Sequence, residues 1–170
     1  LELSDFNQPL LRRLILEAPG TYRHSLVVSN IAEAAADAIG SNALLTRVGA
    51  YYHDIGKLVK PDYFTENQIA TGNKHDELEP SMSRLVILNH VKEGMELAKK
   101  YRLNPIIANF IPEHHGTSLM HYFYQKALTQ TPDMDEVSEE NYRYPGPKPQ
   151  RKETAIVLLA DSAEAATRSL

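Results

Sequence analysis

Apolar positions in this chain recur at steps of three and four residues, segment after segment, with Pro, Gly and polar residues in the breaks. That period predicts an all-α fold. Asn7 can cap a first helix with Pro9 early in it and Leu10, Leu11, Leu14 and Ile15 on one face, stopped by Ala18-Pro19-Gly20. A second helix is expected over 21–39, with Gly40 as its C-terminal cap. Its apolar stripe reads Val27, Ile31, Ala34, Ala35 and Ala38, and His24 extends that stripe one turn earlier. The third helix aims Leu45, Val48, Tyr52 and Ile55 inward, carries His53 and Asp54 near its C-terminal end and stops at Gly56. From Lys60 to Pro80 the sequence is polar and broken by Pro61, Gly72 and Pro80, either a disordered connection or a functional loop; Tyr63, Asn67 and His75 lie there.

Helical spacing returns over 82–101, where Val86, His90, Gly94, Leu97 and Tyr101 share a face. Asn104 and Pro105 open a further helix with Ile106, Ile107, Phe110 and Ile111, kinked or ended by Pro112, and Gly116 closes the segment after His114 and His115. Ser118 can cap a short helix reaching about Leu128. The stretch 131–152 is rich in Pro, Asp, Glu and Tyr, and Pro145-Gly146-Pro147-Lys148-Pro149 excludes helix, so an insertion or flap is expected there. A last amphipathic helix over 153–170 places Val157, Asp161 and Ala165 on one side.

At 170 residues the chain is long enough for one domain with its own core, here taken as 1–170. The absence of cysteine excludes disulfides, thiolate metal sites and a cysteine nucleophile. A net charge of -4 argues against a DNA or RNA polymer as partner, although local basic groups can still hold a small anion. No apolar run approaches the roughly 20 residues that cross a bilayer. The start Leu1-Glu2-Leu3-Ser4 is neither a signal peptide nor an initiating Met, which suggests a piece of a longer protein.

The chemistry is concentrated in His, Asp and one Lys. His53-Asp54 presents a neutral nitrogen and a carboxylate from one point of the backbone, and the second carboxylate oxygen can bridge to another cation. Each of the other residues has an ordinary alternative: His24 and His90 as satisfied core histidines, His114 and His115 as a polar helix end, Asp161 at a wet edge, Lys57 as a solvated lysine. Lys57 follows Asp54 by three residues and can reach over the same point to hold a phosphate. Together, His24, His53, Asp54, His90, His114, His115 and Asp161 come from five expected helices, several on or beside inward faces, where buried polar groups need partners. Nitrogen and oxygen donors without thiolate suit a pair of octahedral ions such as Mn or Fe. A water bridging two such ions becomes a nucleophile near neutral pH, which makes phosphoester hydrolysis the natural reaction.

The succession His, His-Asp, His, His-His, Asp resembles the HD-domain metal-dependent phosphohydrolases. The segments Ala18-Pro19-Gly20-Thr21-Tyr22-Arg23-His24-Ser25, His53-Asp54-Ile55-Gly56-Lys57, Glu113-His114-His115-Gly116-Thr117 and Tyr142-Arg143-Tyr144-Pro145-Gly146-Pro147-Lys148-Pro149 resemble the cytoplasmic HD domain of the PgpH-type seven-transmembrane-receptor phosphodiesterases. This resemblance implies an all-α HD-domain helical bundle, a di-metal centre of two divalent ions, Fe or Mn, and hydrolysis of cyclic di-AMP to linear pApA. It implies His24, His53, Asp54 and Asp161 on one metal and Asp54, His90, His114 and His115 on the other, with Asp54 bridging. Lys57 would bind phosphate, Tyr63 and Tyr124 are candidates for adenine stacking, and Thr117 is a candidate substrate contact. It also implies a membrane-anchored whole protein, with transmembrane helices before Leu1 and this domain on the cytoplasmic side. No Gly-Tyr-Pro follows His115, which disfavours cyclic di-GMP. The alternatives are an HD phosphohydrolase for another nucleotide, such as cyclic di-GMP, guanosine tetraphosphate or a deoxynucleoside triphosphate, and a signalling module that binds a nucleotide without cleaving it.

Overall fold

The computed structural model describes residues 5–68, 74–130 and 137–168. Helices α1 (Pro9–Glu17), α2 (Pro19–Ala38), α3 (Ala43–Tyr52), α4 (Pro80–Lys100), α5 (Pro105–Ala108), α6 (Phe110–Glu113), α7 (His121–Gln130) and α8 (Lys152–Arg168) follow in order, with 3-10 turns between α3 and α4. Among the described residues the extended structure is an isolated bridge between Leu119 and Arg143. No described helix is long and apolar enough to cross a membrane. Gly72, the first part of the expected flap over 131–152 and the last two residues of the final helix lie outside the described residues.

The expected break at Ala18-Pro19-Gly20 is one residue wide. Ala18 N–H closes α1 on Leu14 O, and Ala18 O accepts from Tyr22 to open α2. Pro19 sits at the start of α2, where its missing N–H costs nothing. Asn7 does not cap α1; Gln8 occupies that position without a side-chain cap.

Helix α2 packs against α1, α3 and α8, and the face it buries differs from the expected stripe. Thr21, His24, Ser25, Val28, Ser29, Ala32 and Ala36 are buried, whereas Val27 is 41% and Ile31 42% exposed. The reason is space. Small side chains let α2 lie close to two neighbours and leave room for an imidazole, so the apolar stripe faces outward. The N-terminus of α2 is capped from a distance: Asn67 Oδ1 accepts from Thr21 N–H at 2.9 Å, satisfying a donor that the helix cannot.

Helix α3 starts where Asn42 Oδ1 accepts from Leu45 N–H at 2.9 Å, and it ends at Tyr52. His53 and Asp54 follow at once, and the chain tightens into a 3-10 turn over Ile55–Val59 that contains Gly56. Gly56 is required by contact. A Cβ there would lie 1.7 Å from His90 O and 2.6 Å from Gly94 N, so the backbone after the His-Asp pair rests directly on α4.

Tyr51, Tyr52 and Ile55 pack into one core with Leu10, Leu14, Leu97 and Ile111, while Ala50 joins a second with Val28, Phe110, Val157 and Ala160. The end of α3 is therefore held from two sides. Pro112 lies inside the short α6, within a first turn where proline is tolerated. Ser118 does not cap α7, which begins at His121; its carbonyl accepts from Tyr144 N–H and Met120 N–H donates to Tyr142 O, which ties the described part of the 131–152 segment to the chain before α7. In α8, Val157 and Asp161 are buried, which rules out the wet edge for Asp161, and Glu164 is buried in place of Ala165.

Gly56→Ala is expected to destabilise the domain by about 1–3 kcal/mol, because neither backbone can yield without moving His90. Thermal denaturation reads this as a fall of roughly 2–4 °C per kcal/mol. An unchanged midpoint would contradict the close approach.

Candidate metal centre

The expected ligands arrive from different elements at one place. His24 comes from α2, His53 and Asp54 from the end of α3, His90 from α4, His114 and His115 from the chain after α6, and Asp161 from α8. Asp54 stands between them. Its Oδ2 lies 3.5 Å from His24 Nε2 and 3.2 Å from His53 Nε2, and its Oδ1 lies 3.5 Å from both His90 Nε2 and His114 Nε2. Asp161 faces the same space, with Oδ1 3.0 Å from His24 Nε2 and Oδ2 3.9 Å from His115 Nδ1. The donor atoms of His24, His53 and Asp161 fall within 4.8 Å of one another, as do those of Asp54, His90, His114 and His115.

Ring orientation follows from the other nitrogen. His53 Nδ1 and His114 Nδ1 each lie 2.7 Å from a carbonyl, of Ala50 and Ile111, and His90 Nδ1 contacts Ile87 O. A carbonyl only accepts, so Nδ1 carries the proton and Nε2 presents a lone pair. His24 Nδ1 lies 2.7 Å from Glu164 Oε2, with the same result. Four buried Nε2 atoms, on His24, His53, His90 and His114, and Asp54 Oδ1 then have no hydrogen-bond partner among the described residues. Lone pairs converging on carboxylate oxygens repel unless a cation lies between them. The donor set thus fits divalent metal ions, in two adjacent groups sharing one carboxylate.

Electrostatics agree with that fit at His90 and Asp54, whereas His53 takes up a proton that a metal ion must displace. Burial pushes His90 down to about 4, keeping it neutral and ready to ligate. Burial pushes Asp54 up, but the Lys57 ammonium and His53 outweigh it and hold the carboxyl well below its usual range. Burial also lowers His53, and the charge of the adjacent Asp54 outweighs it, so His53 holds a proton more readily than usual.

Lys57 Nζ reaches the site as its spacing suggests, 2.7 Å from Asp54 Oδ2 and 2.7 Å from Glu66 Oε1. Three further residues touch the site and were not singled out in the sequence. Glu66 pairs with Lys57 and also contacts Thr21 Oγ1 at 3.2 Å; it lies in an aperiodic loop and carries no sequence signal. Glu164 follows Asp161 by three residues on the same helix face, a signal that spacing alone offers. Tyr144 stacks on His115 with ring centroids 4.0 Å apart, and it falls in the Tyr142-Arg143-Tyr144-Pro145 segment.

The other expected substrate contacts lie outside the ligand groups. Tyr63 packs beside His75 and under Lys60 and Lys74, and Tyr124 packs against Tyr142. Thr117 O accepts from Arg143 at 3.0 Å.

Helices that converge histidines on a His-Asp pair define a class, and the chain belongs to the HD-domain family, whose model matches residues 21–166. Within it, the chain is 50% identical over 170 residues to the cyclic-di-AMP phosphodiesterase PgpH of Bacillus subtilis (strain 168), covering 100% of this chain and 24% of that protein. It is 52% identical over 169 residues to the cyclic-di-AMP phosphodiesterase PgpH of Listeria monocytogenes serotype 1/2a (strain 10403S), covering 99% of this chain and 23% of that one. The crystal structure of the L. monocytogenes PgpH HD domain in complex with cyclic-di-AMP matches with a TM-score of 0.92 at 51% identity, over 98% of this chain and 77% of that chain. The chain spans about a quarter of the length of these curated relatives.

Because a proton and a cation compete for His53 Nε2, divalent-ion affinity is expected to fall as pH is lowered from about 8 to about 6, with proton release on binding. Calorimetry of Mn2+ binding in buffers of different ionisation enthalpy measures both. A constant affinity with no proton release would mean that these nitrogens do not take the ion.

Proposed function

We propose that this chain is a metal-dependent phosphodiesterase domain that hydrolyses cyclic di-AMP to linear pApA. The observation that supports it most is the pair of donor groups on either side of Asp54, each with unpartnered nitrogens facing a shared carboxylate. The identity with the PgpH enzymes, and with the HD domain solved with cyclic-di-AMP, supports the choice of substrate. His24, His53, Asp54 and Asp161 would hold one divalent ion, and Asp54, His90, His114 and His115 the other, with iron or manganese best suited to donors that include no thiolate. Two such ions, when bound, supply a water-derived nucleophile near neutral pH and neutralise charge on a phosphoryl oxygen.

The protein's own residues orient and balance this chemistry. Carbonyls of Ala50, Ile87 and Ile111 fix three rings so that Nε2 points to the reacting space. Lys57 lies beside Asp54 with its charge shared with Glu66, and it would turn toward a phosphate oxygen of the substrate. Tyr144 stacks on His115 and would hold its ring at the edge of the site. Adenine stacking by Tyr63 and Tyr124 and a substrate contact at Thr117 belong to the same proposal. So do the reading of 1–170 as one catalytic domain with a flap over 131–152 and its place on the cytoplasmic side of a membrane-anchored protein; the greater length of the relatives supports its being part of a longer protein.

Turnover of cyclic di-AMP, cyclic di-GMP and guanosine tetraphosphate by the Mn2+- or Fe2+-loaded protein tests the proposal. Cyclic di-AMP is expected to be converted preferentially to pApA, and Asp54→Ala is expected to lower the rate at least about a hundredfold, since loss of even an outer partner of a ligand costs 10–100-fold. Tight nucleotide binding with no turnover would favour a binding module, and preference for another nucleotide would reassign the substrate.

A further inference from the structure

The histidines of the site differ in what accepts the proton on Nδ1. For His53, His90 and His114 it is a neutral carbonyl three residues earlier, set by the local turn of the chain. For His24 it is a carboxylate, Glu164 Oε2 at 2.7 Å, delivered from α8 at the far end of the sequence. Glu164 is 7% exposed, and its oxygen is also held by Arg168 Nε at 2.9 Å. An imidazole whose N–H is taken by a carboxylate is the more basic donor through its other nitrogen.

The formal charges divide in the same direction. The group His24, His53 and Asp161 has its own carboxylate, borders Asp54 and has Glu164 behind it. The group His90, His114 and His115 has Asp54 as its carboxylate, and two of its rings lean on carbonyls. Lys57 Nζ lies 2.7 Å from the Asp54 oxygen that faces His24 and His53, and Arg168 holds Glu164, so what sets the His24 group apart is its own carboxylate, Asp161, and the carboxylate acceptor behind His24.

We infer that Glu164 is the positioning residue of the His24 group, and that through it this group binds a divalent cation more tightly than the His90 group. The inference rests on the two-ion reading above. Removing the charge while keeping the shape should therefore weaken one binding step and spare the other.

The test is calorimetric titration of the metal-free protein with Mn2+ alone, comparing wild type, Glu164→Gln, Glu164→Asp, His24→Asn and the double variant His24→Asn/Glu164→Gln. Two steps are expected in the wild type, with the tighter weakened about tenfold or more by Glu164→Gln and the weaker changed less than about twofold. Glu164→Asp, which keeps the charge on a shorter arm, is expected to recover part of the loss. On the His24→Asn background, Glu164→Gln is expected to change neither step further. A tight step unmoved by Glu164→Gln, equal weakening of both steps, or a further loss on the His24→Asn background would overturn the inference while leaving two-ion binding intact. A wild type that takes up a single ion would overturn the two-ion reading and this inference together.

Discussion

A carboxylate buried among imidazole nitrogens, each with its lone pair aimed inward, is an arrangement that a protein interior does not tolerate by itself. Asp54 is that carboxylate, and much of the fold serves to keep it in place. Helix α3 stops one residue before the pair, so His53 and Asp54 point to one space instead of diverging around a helix. Gly56 presses the following backbone against α4 and sets the distance to His90. Small residues on α2 let His24 approach from the other side.

Around this centre the charges alternate along a chain that the neutral His24 ring closes. Asp54 meets Lys57, Lys57 meets Glu66, Glu66 lies 3.6 Å from Arg168, Arg168 holds Glu164, and Glu164 returns to His24 and so to Asp54. The circuit joins α2, the turn after α3, the loop before α4 and α8. Low local dielectric makes such a network strong when complete and costly when one member is missing. Glu66 also sits beside the N-terminus of α2 through Thr21, so the loop that looks irregular in sequence is anchored at both the site and the bundle.

Much of the His and Asp cluster could be read from sequence because its signals are local. His53-Asp54 and His114-His115 are adjacent pairs beside helix ends, and His90 shares its face with Gly94 and Leu97, all buried. The helix order was legible for the same reason. Spacing failed on α2, where the apolar stripe through Val27 and Ile31 is exposed and the true inner face is small and polar. A hydrophobic pattern finds large buried side chains, and here close helix approach and an imidazole take their place. Glu66 and Tyr144 escaped because both act from irregular segments, where no periodicity fixes a direction. Glu164 was legible in principle, since it shares a face with Asp161, but an acid on a mostly apolar helix reads as solvated until its partner is known.

The order of the donor groups along the chain bears on how the centre is made. His90, His114, His115 and Asp54 are all present once synthesis has passed α6, whereas the His24 group needs Asp161, and its outer carboxylate Glu164, from α8. On the ribosome, a nascent chain can therefore complete one side of the centre long before the other. The last helix to emerge brings Asp161 and Glu164 together with Val157 and Ala160, which complete the core that Val28, Ala50 and Phe110 begin, so the second side of the cluster and that core close in the same event.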